Sequence, residues 1–317
     1  MHKRLGSTGL LLLLSVGAWS IDLHVEVSSG LLLGQVHEIV YVQGDPAQAD
    51  YNTYLSELVW PRPLSATLGL KGKINWSPNL WTQLDLGGSV ALMKGTMTDS
   101  DWNVYLDADH PLNNVFSATD AFLLQDVSLQ LEQGWAFAPE SPGLSGLLGV
   151  QVRQLAWESW TGSQGAKQIW TPIDTTITPV YYDLWGMVIT YRQISVAPYL
   201  GLQDTWYLAP TDTPGWAVTG AFRLSPFLYV ASTDFHVASK VFFDQTLGGF
   251  QLEPRVELVW KEPRGNDWGL RLLGTYAAGA RGNDVLVYVR SSSPGTLIQN
   301  IVGSAWEDCR VELFMRN

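Results

Sequence analysis

The chain has 317 residues with 30 acidic and 19 basic side chains, a net charge of −11. That balance argues against a nucleic-acid partner and suits cationic peptides or proteins. Only 15% of residues are charged, against about 25% in an ordinary soluble domain, while 15 Trp, 12 Tyr and 30 Gly are present.

Residues 1–20 read as an export signal. His2, Lys3 and Arg4 give a positive start, Leu10 to Val16 an apolar run, and Ala18-Trp19-Ser20 a small-x-small cleavage site. Cleavage after Ser20 leaves 21–317 as a single domain, more acidic by two charges. The signal's apolar run is too short to span a bilayer, and nothing beyond it is long and apolar enough for a helical span. The single cysteine, Cys309, excludes an intrachain disulfide. The five His lie in no Cys/His cluster of ligand spacing, so no metal or other cofactor is implied. Few charges, many aromatics and no helical span point to an outer-membrane barrel, with a secreted β-sandwich as the alternative.

From the N-terminus onward, apolar and polar residues alternate, as in strands with two unlike faces. Leu23, Val25, Val27, Leu31 and Leu33 share one parity, and Asp22, His24, Glu26, Ser28 and Glu38 the other. Next, Leu68, Leu70, Ile74 and Trp76 oppose Thr67, Lys71, Lys73 and Asn75. Then Leu84, Leu86 and Val90 oppose Asp85, Ser89 and Ala91. Leu123, Val127, Leu129 and Leu131 oppose Asp126, Ser128, Gln130 and Glu132. Further on, Ile194, Val196, Leu200 and Leu202 oppose Gln193, Ser195, Tyr199 and Gln203. Phe250, Leu252, Val256 and Leu258 oppose Gln251, Glu253, Arg255 and Glu257, and Cys309, Val311 and Leu313 oppose Asp308, Arg310 and Glu312.

One face therefore meets water or charge and the other something apolar. These runs extend over about ten residues, as a tilted bilayer crossing requires, whereas soluble strands usually have about five or six. The expected fold is all-β, a ten-stranded antiparallel transmembrane barrel. Pro-, Gly- and Asp-rich stretches near 77–79, 138–143, 209–215 and 262–267 are predicted inner turns. Segments near 42–53, 99–120, 162–187 and 282–299, with a short one after His236, are predicted extracellular loops.

Two stretches carry chemistry. Asp234 and His236 are two apart, and extended chain puts them on one face, where the acid can orient the imidazole or raise its basicity. Asp99 and Asp101 repeat the spacing at the end of another alternating run. Either pair alone is ordinarily a solvated loop feature; together they form a constellation. Asp99 and Asp101 keep the lumen parity of Asp85, and Glu38 keeps its strand's polar parity, so all three converge on the outer mouth. Strict counting from Phe222 through Val230 instead puts Asp234 and His236 on the lipid side. Either a bulge near 231–233 resets the face, or these residues rise above the bilayer on a twisted strand.

At these residues the chain resembles the omptins, outer-membrane endopeptidases built as ten-stranded barrels. The resemblance spans essentially the whole mature chain. Gly34-Gln35-Val36-His37-Glu38 looks like the family's first-strand segment, Met97-Thr98-Asp99-Ser100-Asp101-Trp102 its Asp-x-Asp-Trp motif, and Asp234-Phe235-His236 its Asp-x-His dyad. His110-Pro111 and Tyr191 through Leu202 are also similar to family segments. The resemblance implies a peptidase of the bacterial outer membrane with its site facing outward. In it His236, held by Asp234, activates a water opposite Asp99 and Asp101, and no covalent intermediate forms. Glu38 lines a pocket for a basic side chain, and the partners are cationic peptides or proteins and outer-membrane lipid, with the chain a monomer. Ser232 stands where the family has a second pocket acid, which implies a weaker preference for Arg. The family's lipopolysaccharide cluster is not recognisable near 150–154, and Asn317 replaces the usual terminal aromatic. A passive barrel, porin or adhesin, is the alternative, but it has no use for four such residues together.

Overall fold

The computed structural model describes residues 22–41, 54–103, 113–137, 143–162, 165–172, 178–210, 213–237, 240–262, 265–288 and 299–317. The expected signal, the 42–53 loop and His110-Pro111 lie outside these residues. The strands are β1 (Asp22–Tyr41), β2 (Tyr54–Ser77), β3 (Leu80–Ala91), β4 (Gly95–Asn103), β5 (Asn113–Ala136), β6 (Ser145–Trp160), β7 (Ala166–Pro172), β8 (Val180–Leu184), β9 (Met187–Tyr207), β10 (Gly215–His236), β11 (Val241–Lys261), β12 (Asp267–Tyr288) and β13 (Gln299–Arg316).

All pairings are antiparallel, and β1 pairs with β13 to close the sheet. β3 and β4 are two halves of one stave, both held between β2 and β5, so the closed wall has ten staves. β7 and β8 form a hairpin above the wall, standing on β5. Closure leaves no unpaired strand edge, which a bilayer interior requires. The inner turns fall where the Pro- and Gly-rich stretches predict them. The outer segments differ from expectation: β4 runs to Asn103 and β5 begins at Asn113, the 162–187 segment contains β7 and β8, and β12 continues to Tyr288. Bilayer thickness sets the length of a crossing, but strand pairing continues above it.

The outward face carries an apolar belt that includes Leu31, Leu33, Leu68, Leu86, Leu129, Leu200, Tyr229, Val256 and Leu313, all exposed. Above the belt the outward residues turn polar and bond laterally. His37 pairs with Glu57 at 2.7 Å, Lys94 with Asp120 at 2.6 Å, and Thr233 Oγ1 donates to Asp244 Oδ1 at 2.8 Å. These pairs mark the upper edge of the membrane-spanning segments.

Inside the belt, the lumen is filled with paired charge. Arg271 contacts Glu257 at 2.7 Å, Glu312 at 3.0 Å and Glu26 at 2.5 Å, and Lys71 also reaches Glu26 at 3.1 Å. Arg223 holds Glu132 at 2.8 Å and also Glu253. Higher up, Arg62 and Arg153 both bind Asp126 and Asp308. Buried charge is tolerable only when paired and hydrogen-bonded, so these clusters follow from placing polar parity inward.

The alternation is reset by bulges. Between Leu123 and Gln125, β5 advances two residues while β6 advances one, so Leu123 is buried inward and Leu124 faces lipid. The expected outward placement of Leu123 is therefore corrected. In β10, Ser225 opposes Gln251 and Leu228 opposes Gly249, so β10 holds one extra residue. The same excess appears against β9, where Leu224 opposes Leu200 and Tyr229 opposes Val196. Pro226 and Phe227 both point outward, after which Leu228, Val230, Ser232 and Asp234 are buried on the lumen side. Pro226 lacks an N–H for the ladder, so a bulge is a natural place for it.

Charge on the lipid face near the midplane costs about 2–4 kcal/mol. Leu200→Arg should therefore depress refolding into detergent or lipid, read as heat-modifiable mobility, far more than Gln203→Glu, which places an acid inside near Arg255. Equal refolding would contradict the assignment of faces. Deleting Pro226 removes the extra residue while leaving each inward side chain inward, so that variant should refold with near-normal yield; a collapse of refolding would show the bulge to be needed in itself.

Candidate active site

On each wall, the site rises from an apolar layer by steps of two residues. Trp60 stacks on Tyr191 with ring centroids 5.4 Å apart, and Trp157 lies 6.1 Å from Trp60 and 5.8 Å from Tyr191. Val36, Met97, Val230, Leu247 and Trp306 complete this buried layer. It separates the ion-paired lumen below from the mouth above. Trp157 fixes its indole by donating to the Pro61 carbonyl at 2.8 Å.

Two residues beyond Met97 comes Asp99, then Asp101; two beyond Val36 comes Glu38; beyond Val230 come Ser232, Asp234 and His236. The period of the strand thus lifts each polar group off the same floor. β4 is held by β2 and β5, with Asp99 opposite Leu58 and Asp101 opposite Ser56, whose hydroxyl bonds the Asp101 carboxylate. β10 lies four staves away around the ring, so the two pairs look at each other across the mouth.

His236 Nε2 lies 2.7 Å from Asp234 Oδ2, and Asp234 is only 2% exposed. The His236 ring also packs on Phe243, centroids 5.1 Å apart. Burial and then the Asp101 charge push the Asp99 carboxyl up to about 7, and burial raises Asp101 as well. Burial alone would lower His236, but Asp234, Asp99 and Asp101 outweigh it and hold the imidazole at about 9. All four groups thus share one electrostatic field.

Glu38 and Ser232 meet at a residue that sequence reasoning passed over. Gln245, opposite Ser232 on β11, accepts from the Ser232 hydroxyl at 3.1 Å and donates its amide to Glu38 Oε1. Beside them the Tyr191 hydroxyl donates to Gln193 Oε1 at 2.9 Å. Ser56 was likewise missed. The signal for Gln245 was present, since it is the polar residue between inward Phe243 and Leu247 on a strand whose parity is plain.

Asp99, Asp101, Asp234 and His236 are brought together, with Glu38 and Ser232 alongside. Of the two routes for turning Asp234 inward, the bulge is the one used. It lies at Pro226–Phe227 and not near 231–233, within the belt and below the outward Tyr229.

Comparison with known proteins gives this site a setting. The chain is 25% identical over 233 residues to the plasminogen activator of Yersinia pestis, a match covering 71% of this chain and 66% of that protein. The chain therefore matches slightly under two thirds of that relative's length. Its fold superposes on the outer membrane protease OmpT of Escherichia coli with a TM-score of 0.78 at 15% identity, covering 94% of this chain and 97% of the other. Residues 20–254 match the Omptin family, and over that span, which includes all four clustered acid and imidazole groups, the chain belongs to the omptins.

Proposed function

We propose that this omptin is an endopeptidase of the bacterial outer membrane, cleaving peptide bonds beside basic residues at its outward-facing mouth. One observation carries the reading: an Asp-bound imidazole on β10 and the Asp99 and Asp101 carboxyls on β4 act on each other above an apolar floor. Between about 7 and about 9, Asp99 and His236 together hold one proton. That proton rests mostly on His236, the stronger base; in the minor form that carries it on Asp99, His236 is neutral and takes a proton from water as the water oxygen attacks the peptide carbonyl. The protonated Asp99 carboxyl stabilises the developing oxyanion, and His236 then returns its proton to the leaving amine. Asp234 orients the ring and stabilises the imidazolium that forms. Asp101, fixed by Ser56, holds the water and keeps the Asp99 proton in place. No side chain becomes acylated.

Glu38 supplies the negative charge for a basic side chain, and Ser232 adds a hydroxyl where a second acid would strengthen the attraction. The acidic chain draws cationic peptides at long range. The closed wall offers no edge to a second copy, which supports a monomer surrounded by lipid.

His236→Ala should lower turnover of an Arg-containing fluorogenic peptide by about a hundredfold or more while the barrel still refolds. Asp99→Ala, Asp101→Ala and Asp234→Ala should each cut it steeply, and chelators or serine- and cysteine-directed inhibitors should leave it intact. A wild-type rate in His236→Ala would end the mechanism. The same chemistry fixes the pH profile. Two protons at the site leave no base, so kcat/KM should rise as pH rises through about 7, and loss of the last proton should lower it again through about 9. A rate that falls steadily from pH 6 upward would contradict the shared-proton assignment.

A further inference from the structure

The base of the presumptive specificity pocket is occupied by its own hydrogen bonds. Glu38 is 2% exposed, Gln245 2% and Ser232 5%. Ser232 Oγ donates to Gln245 Oε1 at 3.1 Å, and Gln245 in turn donates its amide N–H to Glu38 Oε1. These three residues come from two neighbouring strands, β10 and β11, and from β1, three staves further around the ring, since β11 and β1 are separated by β12 and β13. The chain of bonds therefore bridges the lumen.

We infer that Gln245 is a specificity-determining residue, a latch whose amide competes with the substrate's basic side chain for the Glu38 carboxylate. This rests on the peptidase reading of the mouth. A guanidinium gains most over an ammonium when it can bind both oxygens of one carboxylate side-on. With Oε1 engaged by Gln245, an arginine head has to displace the amide or accept a poorer geometry. An ammonium is a point charge and loses less. The latch thus compresses the difference between Arg, Lys and neutral side chains before the cut.

The geometry also explains how a carboxylate sits buried here with one neighbouring acid position occupied by Ser232. A carboxylate accepting a buried amide N–H gains from that bond. Ser232 holds the amide the right way round, because its hydroxyl donates to the amide oxygen and so leaves the N–H side for Glu38. Reversing the amide would place its oxygen against a carboxylate oxygen. A second acid at position 232 would face that same amide oxygen and could not hold it in this orientation. Ser232 and Gln245 therefore work as a pair, and the substitution at 232 has a cross-strand counterpart at 245.

The test uses the full-length barrel refolded in detergent with lipid and three matched fluorogenic peptides carrying Arg, Lys or Gln before the scissile bond. Gln245→Ala should raise the Arg-to-Gln ratio of kcat/KM by about tenfold, the free energy of one charged hydrogen bond. The gain should be carried by KM and should exceed the gain for Lys. Gln245→Asn, which keeps an amide but withdraws it by one methylene, should fall between and covers the case in which Ala does not fold. In the Glu38→Gln/Gln245→Ala double variant the gain should vanish, showing that it acts through Glu38. An unchanged or lower Arg-to-Gln ratio in folded Gln245→Ala or Gln245→Asn would overturn the latch. Binding of acetyl-arginine amide, read from the fluorescence of the Trp60 and Trp157 floor, reports the latch without turnover. Tighter binding by the Gln245 variants in a barrel that cleaves none of the peptides would support the latch and reject the peptidase reading. Equal binding by wild type and variants would reject the latch whatever is cleaved.

Discussion

The bulge that absorbs one extra residue in β10 decides whether this barrel has a site at all. Below Pro226–Phe227 the strand must show Phe222 and Leu224 to lipid and bury Arg223 and Ser225. Above it, Leu228, Val230, Ser232 and Asp234 must face the lumen. Strict alternation cannot satisfy both sets, because the period of a strand is two and the two sets differ in parity. The bulge resolves the conflict within the belt, with two side chains, Pro226 and Phe227, outward in succession. β5 does the same at Leu124 and Gln125, and β2 gains a residue against β1 between Arg62 and Ser65. The upper wall is thus free to present a set of residues chosen for the mouth, whatever the lipid demands of the lower wall.

That freedom separates two kinds of buried charge. In the lower lumen Arg62, Arg153, Arg223 and Arg271 each have carboxylates at hydrogen-bond distance, and these clusters tie the wall together. At the mouth the acids outnumber the bases. Asp99, Asp101 and Asp234 face a single imidazole, and the raised Asp99 and His236 values are what such an imbalance produces in a site shielded from water on one side. The Trp60, Trp157 and Tyr191 layer keeps the two regimes apart. Without that layer, Arg62 and Arg153 would compete for the mouth carboxylates and depress them, removing the shared proton on which the proposed chemistry depends.

The wall was legible in the sequence because lipid enforces a pattern of period two. Leu68, Leu200 and Leu258 were placed outward and Lys71, Gln130 and Glu257 inward from alternation alone, and the structure agrees. The inner turns were legible from Pro, Gly and Asp. The errors of face have a single cause, since parity is counted along one strand and a bulge is a relation between two. Leu123 was misplaced and Asp234 left ambiguous for that reason, although Pro226 within an apolar run was a usable sign. The acids of the site could be found because two pairs shared a spacing. Gln245 could not be found that way, for its importance lies in reaching Glu38 across the lumen, and no local pattern records a contact 207 positions away.

The upper wall also sets Glu38, Ser232 and Gln245 apart from the cluster of three acids and one imidazole. Asp99, Asp101, Asp234 and His236 depend on one another through a common field, so replacing any one changes the protonation of the rest. Glu38, Ser232 and Gln245 are joined by two hydrogen bonds. A change at 232 can be compensated at 245, one step across a strand pair, without touching β4 or the Asp234–His236 bond. Both sets stand on the same floor and meet on β10, while Glu38 and Gln245 lie on β1 and β11 and Asp99 and Asp101 on β4. A barrel built in this way can alter what enters the mouth by exchanging inward residues two apart, and each exchange leaves the lipid face unchanged because that face belongs to the other parity.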